Sequence, residues 1–166
     1  METTYIEIDS PDKHLSDVLE EIPSNVILYK TLTGIGATYS EIKAQRHSII
    51  IEPNVPVIIG KCNSAKHKND NLLGVYEGVT TDRIIKYLGA SRGKYYKILT
   101  TPESFTKVKD AFLIFNGKIY NTCFLLIDEA HKTIKDVDYR SDIVLPMNDF
   151  CLLYTSPSPR DRSLSR

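Results

Sequence analysis

The chain has 166 residues, with 21 basic and 21 acidic side chains, which is enough for one α/β domain with a buried core. The balance, without a polybasic run, removes bulk electrostatics as an argument for nucleic-acid binding, although a local groove on a neutral chain can still be basic. No apolar run approaches the roughly 20 residues of a membrane span, Met1-Glu2-Thr3-Thr4 lacks the features of a signal peptide, and Cys62, Cys123 and Cys151 are odd in number without metal-ligand spacing, which fits a reducing, cytoplasmic setting.

In chain order, Thr4 to Ile8 reads as a short edge strand or a loose arm. Leu15, Val18, Leu19 and Ile22 fall at helical spacing and predict an amphipathic packing helix stopped by Pro23. Asn25 to Lys30 is apolar and predicts a buried strand. It leads into Thr31-Leu32-Thr33-Gly34-Ile35-Gly36-Ala37-Thr38 and then a helix from about Tyr39 to Gln45. Strand, glycine-containing turn and helix form the context of a phosphate-binding loop, because glycines let backbone N–H groups turn toward phosphate oxygens. The plain alternative is a tight strand-to-helix turn.

Ser48-Ile49-Ile50-Ile51-Glu52 predicts a strand ended by Pro53, and Val55 to Lys61 a short helix with Pro56 in its first turn. The polar stretch Asn63 to Asn71, with Lys66, His67 and Lys68, is expected as an exposed loop whose charges are more often solvated than phosphate-gripping. Leu72 to Tyr76 predicts a strand, and Thr80-Thr81-Asp82 starts a helix carried by Ile84, Ile85 and Leu88 to Gly89. Ala90 to Gly93 is a turn. Tyr95 to Thr100 is a further strand, running into Thr101-Pro102-Glu103-Ser104, where Thr101 suits a helix cap and Pro102 the first turn. Phe105, Val108, Phe112 and Phe115 make a helical core stripe, and Asn116-Gly117 a turn.

The stretch Cys123-Phe124-Leu125-Leu126-Ile127-Asp128-Glu129-Ala130-His131 is the centre of the chain. Its apolar run is too short for an independent helix and reads as a strand buried on both faces of a parallel sheet. Two acids then emerge at the carboxyl edge, where open α/β sheets bind ligands. Paired carboxylates suit a magnesium–phosphate site, one holding the metal's water shell and the next orienting an attacking water. The alternative is a solvated acidic turn.

Leu126-Ile127-Asp128-Glu129-Ala130-His131 resembles the Walker B motif, in its DEAH form, of superfamily 2 helicases and related P-loop ATPases. Thr33 to Thr38 resembles their Thr-Gly-x-Gly-Lys-Thr loop, with Ala37 where the lysine should stand. Ser48 to Pro53 falls where the family places motif Ia, and Thr101-Pro102-Glu103-Ser104, directly after Thr100, resembles motif Ib in its Thr-Pro-x-x form. The resemblance implies a RecA-like, doubly wound and mostly parallel sheet with helices on both faces. It implies ATP and Mg²⁺ as cofactors, and nucleic acid, DNA or RNA, as partner, with no membrane. Thr33, Gly34, Ile35, Gly36, Ala37 and Thr38 would bind phosphates, and Thr38 and Asp128 the metal. Glu129 would orient water, and His131 would couple nucleotide state to the second domain. Pro53, Thr100, Thr101 and Pro102 would meet the nucleic-acid backbone. Some relatives, including large phage terminases, carry the functional lysine at the start of the loop. Lys30 stands one residue before that place and is a candidate replacement.

Leu153 to Arg166 is rich in Ser, Pro and Arg and is expected to be disordered. It resembles the translation of a sequencing adapter, so residues 151–166 are set aside as a non-native tail. The expected organisation is an arm and packing helix over 1–24 and an incomplete RecA-like domain over 25–150, missing the second RecA-like domain of its parent chain. The expected function is the N-terminal ATP-binding half of a DEAD/DEAH-like helicase or nucleic-acid-dependent ATPase, inactive by itself. The alternatives are a non-hydrolysing P-loop binding or regulatory module, which Ala37 favours, and the motor half of a phage-type terminase.

Overall fold

Short apolar runs set the architecture. The computed structural model of the protein describes residues 5–8, 10, 13–28, 34–115 and 119–129. Among these, Ser48–Ile51 (β1), Leu72–Val75 (β2), Lys97–Thr100 (β3) and Phe124–Ile127 (β4) are strands. They join in one sheet in the order β2-β3-β1-β4, every pairing parallel. The helices are Leu15–Val18 (α1), Ala37–Lys43 (α2), Val55–Asn63 (α3), Thr81–Ala90 (α4), Phe105–Phe115 (α5) and Ile119–Thr122 (α6). None of the described helices is long and apolar enough to cross a membrane.

Side chains alternate across a strand, and this alternation makes the sheet two-sided. Ile49, Ile51, Leu73, Val75 and Ile98 pack under Ile84 and Leu88 of α4 and Phe105, Val108 and Phe112 of α5. Ile50 and Leu99 face the other way, under Ile42 of α2 and Ile58 of α3. The fold is therefore an α/β doubly wound parallel sheet with helices on both faces. The inner strands β1 and β3 are buried at every position, which is why the Ile49-Ile50-Ile51 run is continuous rather than alternating. Each of these isoleucines contributes about 2 kcal/mol through its burial.

The strands end flush. Ile51 pairs with both Thr100 and Ile127, and Val75 with Thr100. Glu52, Tyr76, Thr101 and Asp128 are therefore the first residues beyond the carboxyl edge. Backbone bonds carry the ladder one step further, from Glu52 N to Thr100 O (2.9 Å), Thr101 N to Val75 O (3.3 Å) and Asp128 N to Ile51 O (3.0 Å).

A buried ionic network pins the far end of α2 to the opposite, amino edge. The Glu41 carboxylate, 0% exposed, accepts from Arg46 Nε (3.0 Å), Arg46 Nη2 (2.5 Å) and the Ser48 hydroxyl (2.5 Å). Lys97 donates to the Glu41 carbonyl (2.7 Å) and to Ser48 Oγ (3.0 Å). Arg46 also donates to the Ile22 carbonyl (2.9 Å), and its guanidinium lies 3.5 Å from the centre of the Phe124 ring. One helix thus spans the sheet from edge to edge.

The structure departs from expectation in several places. The described part of Asn25 to Lys30 forms no strand. Asn25 turns the chain in the left-handed region at φ 61°, two residues after Pro23, and Ile27 is left 81% exposed. Of the described residues of this run, Leu28 packs against the Leu15, Ile22 and Ala37 cluster, as Phe124 and Leu126 also do. As a result β4 is an edge strand among the described residues and is half-buried throughout, rather than buried on both faces. The packing helix is a single turn, because Leu19 is already extended, but Leu15 and Ile22 are buried as the pattern required. Helix α2 starts at Ala37, directly after Gly36, two residues earlier than expected. Tyr5 to Ile8 is irregular, the arm rather than the strand. Residues 63–71 are not simply an exposed loop. Ala65–His67 is a 3₁₀ turn and His67 is buried, its Nδ1 2.7 Å from Asp70, which also pairs with Lys43 of α2 at 2.7 Å. The Asn116-Gly117 turn, the helix or loop expected over Lys132 to Asp138 and the 151–166 tail lie outside the described residues.

Candidate nucleotide and metal site

Two glycines shape the loop that opens α2. Gly34 (φ 80°) and Gly36 (φ 81°) both occupy the left-handed region, which side-chain-bearing residues adopt at a cost. Gly36 is the residue that caps α2, so the chain turns sharply into the helix. The loop is tied from outside by Leu15 N, which donates to Ile35 O at 2.8 Å. A Cβ on Gly36 would lie 3.7 Å from that of His14. The segment leading into α1 therefore packs directly on the loop. The helical spacing of Leu15 and Ile22 signalled burial there, but nothing in it singled out His14.

The turn into α2 brings Thr38 over the end of β4, where its hydroxyl donates to Asp128 Oδ2. Thr38 is 6% exposed and Asp128 part-buried. The other Asp128 oxygen, Oδ1, accepts the Glu129 backbone N–H at 2.9 Å. Glu129 stands at φ 51°, a left-handed turn immediately after the strand. Residues 90 positions apart are thus joined at the carboxyl edge. A threonine hydroxyl and a carboxylate are hard oxygen donors of the kind magnesium takes, usually with its remaining positions filled by water and phosphate. No group of three or more His, Cys, Asp or Glu side chains placed to hold a metal ion occurs among the described residues.

A second carboxylate joins this edge from β1. Glu52 is buried and accepts a hydrogen bond from the Lys61 ammonium of α3. Burial pushes the Glu52 carboxyl above its usual range. The Lys61 bond pulls it back, and the nearby charges of Asp128 and Glu129 push it up again. The sequence placed Glu52 inside a strand and gave no sign of its pairing with Lys61, since side chains nine residues apart on different elements carry no local pattern.

Of the sequence-predicted site residues, Gly34, Ile35, Gly36, Ala37, Thr38, Asp128 and Glu129 gather at one edge. Lys30, Thr33 and His131 lie outside the described residues. Ala37 is buried beside Leu15 and Ile22, so the position of the missing lysine is filled by packing. The motif Ib candidates stand at the same edge at the end of β3, with β1 between them and β4, but they are closed. Thr100, Thr101 and Pro102 are buried. The Thr100 hydroxyl donates to Thr101 O at 3.1 Å, and Thr101 Oγ1 accepts from Ser104 N at 3.3 Å. The hydroxyl that was expected to face a nucleic-acid backbone is used in the turn before α5. Pro53 is partly exposed. Compared with known proteins, the chain matches no protein-family model, no curated protein and no solved structure.

Proposed function

We propose that this chain is the N-terminal ATP-binding half of a DEAD/DEAH-like helicase or nucleic-acid-dependent ATPase, acting in a reducing, cytoplasmic setting. The observation that carries the reading is the Thr38 hydroxyl on the Asp128 carboxylate, at the carboxyl edge of a parallel sheet and directly after a two-glycine turn. In this reading the backbone N–H groups of the loop receive the phosphates. Thr38 and Asp128 hold Mg²⁺, which neutralises the charge developing on the transferred group. Glu129, one residue beyond Asp128, orients the attacking water. Nucleic acid and a second RecA-like domain are the partners, and the domain supplies the arginine that completes the transition-state charge. This chain alone then binds nucleotide with negligible turnover.

The burial of Ala37 favours a second reading, a P-loop module that holds nucleotide without hydrolysing it. No lysine reaches the phosphates from that position, and the space is taken by Leu15 and Ile22. Titration of a fluorescent ATP analogue, with and without Mg²⁺, tests what both readings share: magnesium-dependent binding that Thr38→Val weakens at least tenfold. Binding that ignores both the metal and the substitution would remove both. Glu129→Gln in a chain that carries the second domain separates them, since an enzyme traps ATP and loses turnover, whereas a binding module is unchanged.

A further inference from the structure

The amino edge of the sheet carries a surface that the nucleotide site does not use. Asn71 Nδ2 donates to Ser91 Oγ (2.9 Å) and to Tyr95 O (3.2 Å), which sets residues 66–71 beside residues 91–95. Lys43, in the last turn of α2, donates to Lys66 O at 3.3 Å and closes the third side. A cleft opens between these segments, with the buried Lys97 among the residues that line it. Lys43 and Lys94 line it, and Lys66, Lys68 and Arg92 are exposed on the two segments that flank it. Lys66, Lys68, Arg92 and Lys94 make no ion pair among the described residues. The one carboxylate among the described residues lining the cleft, Asp70, is already held by Lys43 and His67. On the far side of Lys43, Glu20 and Glu21 face Ser40 and Gln45, and Glu21 lies 3.6 Å from Arg46. The basic surface therefore ends at α2.

An aromatic ring stands in the same lining. Tyr95 is 46% exposed, and its ring is braced edge-on by His47 at 5.6 Å, which in turn stacks on Tyr96 at 4.2 Å. His47 Nδ1 accepts the Tyr96 backbone N–H at 2.9 Å. A braced, solvent-facing ring among unpaired cations is the combination single-stranded nucleic acid selects, with stacking for a base and ammonium or guanidinium groups for the phosphates. The lining also carries Gln45, Asn69 and Asn71 beside the apolar Ile42 and Ala44, and such amide side chains hydrogen-bond the phosphate and sugar oxygens of a polynucleotide.

We propose that this amino-edge cleft is a docking surface for single-stranded nucleic acid, at the opposite end of α2 from the Thr38–Asp128 pair. It is separate from the nucleotide reading and stands or falls without it. The test is fluorescence anisotropy of a labelled oligothymidylate on the full chain at low salt, without nucleotide or Mg²⁺. Lys66→Glu/Lys68→Glu and Arg92→Glu/Lys94→Glu are each expected to weaken binding about tenfold or more. Each double variant should also flatten the dependence of log affinity on log salt by about 1.4, at about 0.7 for each phosphate released. Tyr95→Ala should weaken binding about tenfold, as for one lost stacked base, and leave the salt slope unchanged. All five positions are exposed, so the variants should keep the wild-type circular dichroism. Failure of the wild type to bind, wild-type affinity in both double variants, or binding to phosphatidylserine vesicles but not to the oligonucleotide would each overturn the proposal.

Discussion

Both edges of this sheet carry a carboxylate bonded to a neighbouring hydroxyl, yet the two are built differently. At the amino edge Glu41 is fully buried and takes two bonds from Arg46 and one from Ser48, with Lys97 closing the network onto the backbone. At the carboxyl edge Asp128 is only part-buried. It meets Thr38 and its own neighbour's N–H, and Glu52 and Glu129 add further negative charge. A buried carboxylate matched by fixed cations serves the fold. Acids gathered at a partly open edge, beside a glycine turn, are where the proposed cation would sit. The same residue chemistry thus divides into scaffold and site according to burial and to the sign of the charges around it.

The largest expected effect breaks the scaffold end. Glu41→Gln removes the charge facing Arg46 and Lys97 and should cost about 3–5 kcal/mol of unfolding free energy, the range for breaking a buried ion pair. Chemical denaturation checks this. Asp128→Asn should cost no more than about 1 kcal/mol, as for one part-buried hydrogen bond, while removing magnesium-dependent nucleotide binding. If the two substitutions proved equally damaging to stability, the division between the edges would disappear.

A smaller effect separates backbone from side chain at the site. Gly36→Ala places a side chain at φ 81° in a position with room for it, the His14 Cβ being 3.7 Å away. The cost is therefore backbone strain, about 1–2 kcal/mol. Gly74→Ala meets no positive φ but would bring its Cβ to 2.8 Å from Ile58 Cγ2 and 3.2 Å from Cys62 Sγ, an overpacking cost of about 1–3 kcal/mol. Thermal unfolding of both, with nucleotide binding measured in parallel, should show binding altered by Gly36→Ala and retained by Gly74→Ala.

The contrast between the edges also marks what was legible in the sequence. The four described strands were, because Ser48 to Ile51, Leu72 to Val75, Lys97 to Thr100 and Phe124 to Ile127 are apolar runs of strand length bounded by prolines, glycines or polar residues. The meeting of Thr38 with the acidic strand end was expected from the two motifs together. Apolar content misled at Asn25 to Leu28, where Pro23 and a left-handed Asn25 redirect the chain and expose Val26 and Ile27. The Glu41–Arg46–Ser48–Lys97 network was not legible, since a lysine opening a strand and a glutamate inside a helix read locally as surface groups. Their burial follows only from the parallel register, which sets Ser48 opposite Lys97 and beneath α2. The cleft between residues 66–71 and 91–95 is invisible for the same reason, because it exists only once β2 lies beside β3.

The smallest effect tests whether the scaffold end carries strain of its own. Burial holds the Lys97 ammonium down to about 8, against the pull of Glu41 and with a further push from Arg46, where a lysine ordinarily titrates near 10.5; Glu21 and Asp70 draw it slightly upward. Between those values the unfolded chain binds more protons than the folded one, so this group's contribution to stability rises with pH across that window. Below about 8 the lysine is charged in both states and the fold carries the whole desolvation cost. Burial also pushes the Cys123 thiol up to about 12 and the Tyr87 hydroxyl upward, and these lower stability at high pH. Their burial is shared by Lys97→Met, but that variant loses the pull by which the Lys97 charge lowers the Cys123 thiol, so the thiol sits higher still and lowers the variant's stability further at high pH, in the same direction as the lysine's own effect. The unfolding free energy of the wild type minus that of Lys97→Met should therefore become more favourable to the wild type from pH 7.5 to pH 10. A difference that stays flat would mean the ammonium is as comfortable at the floor of the amino edge as in water, and that the network there carries no desolvation cost of its own.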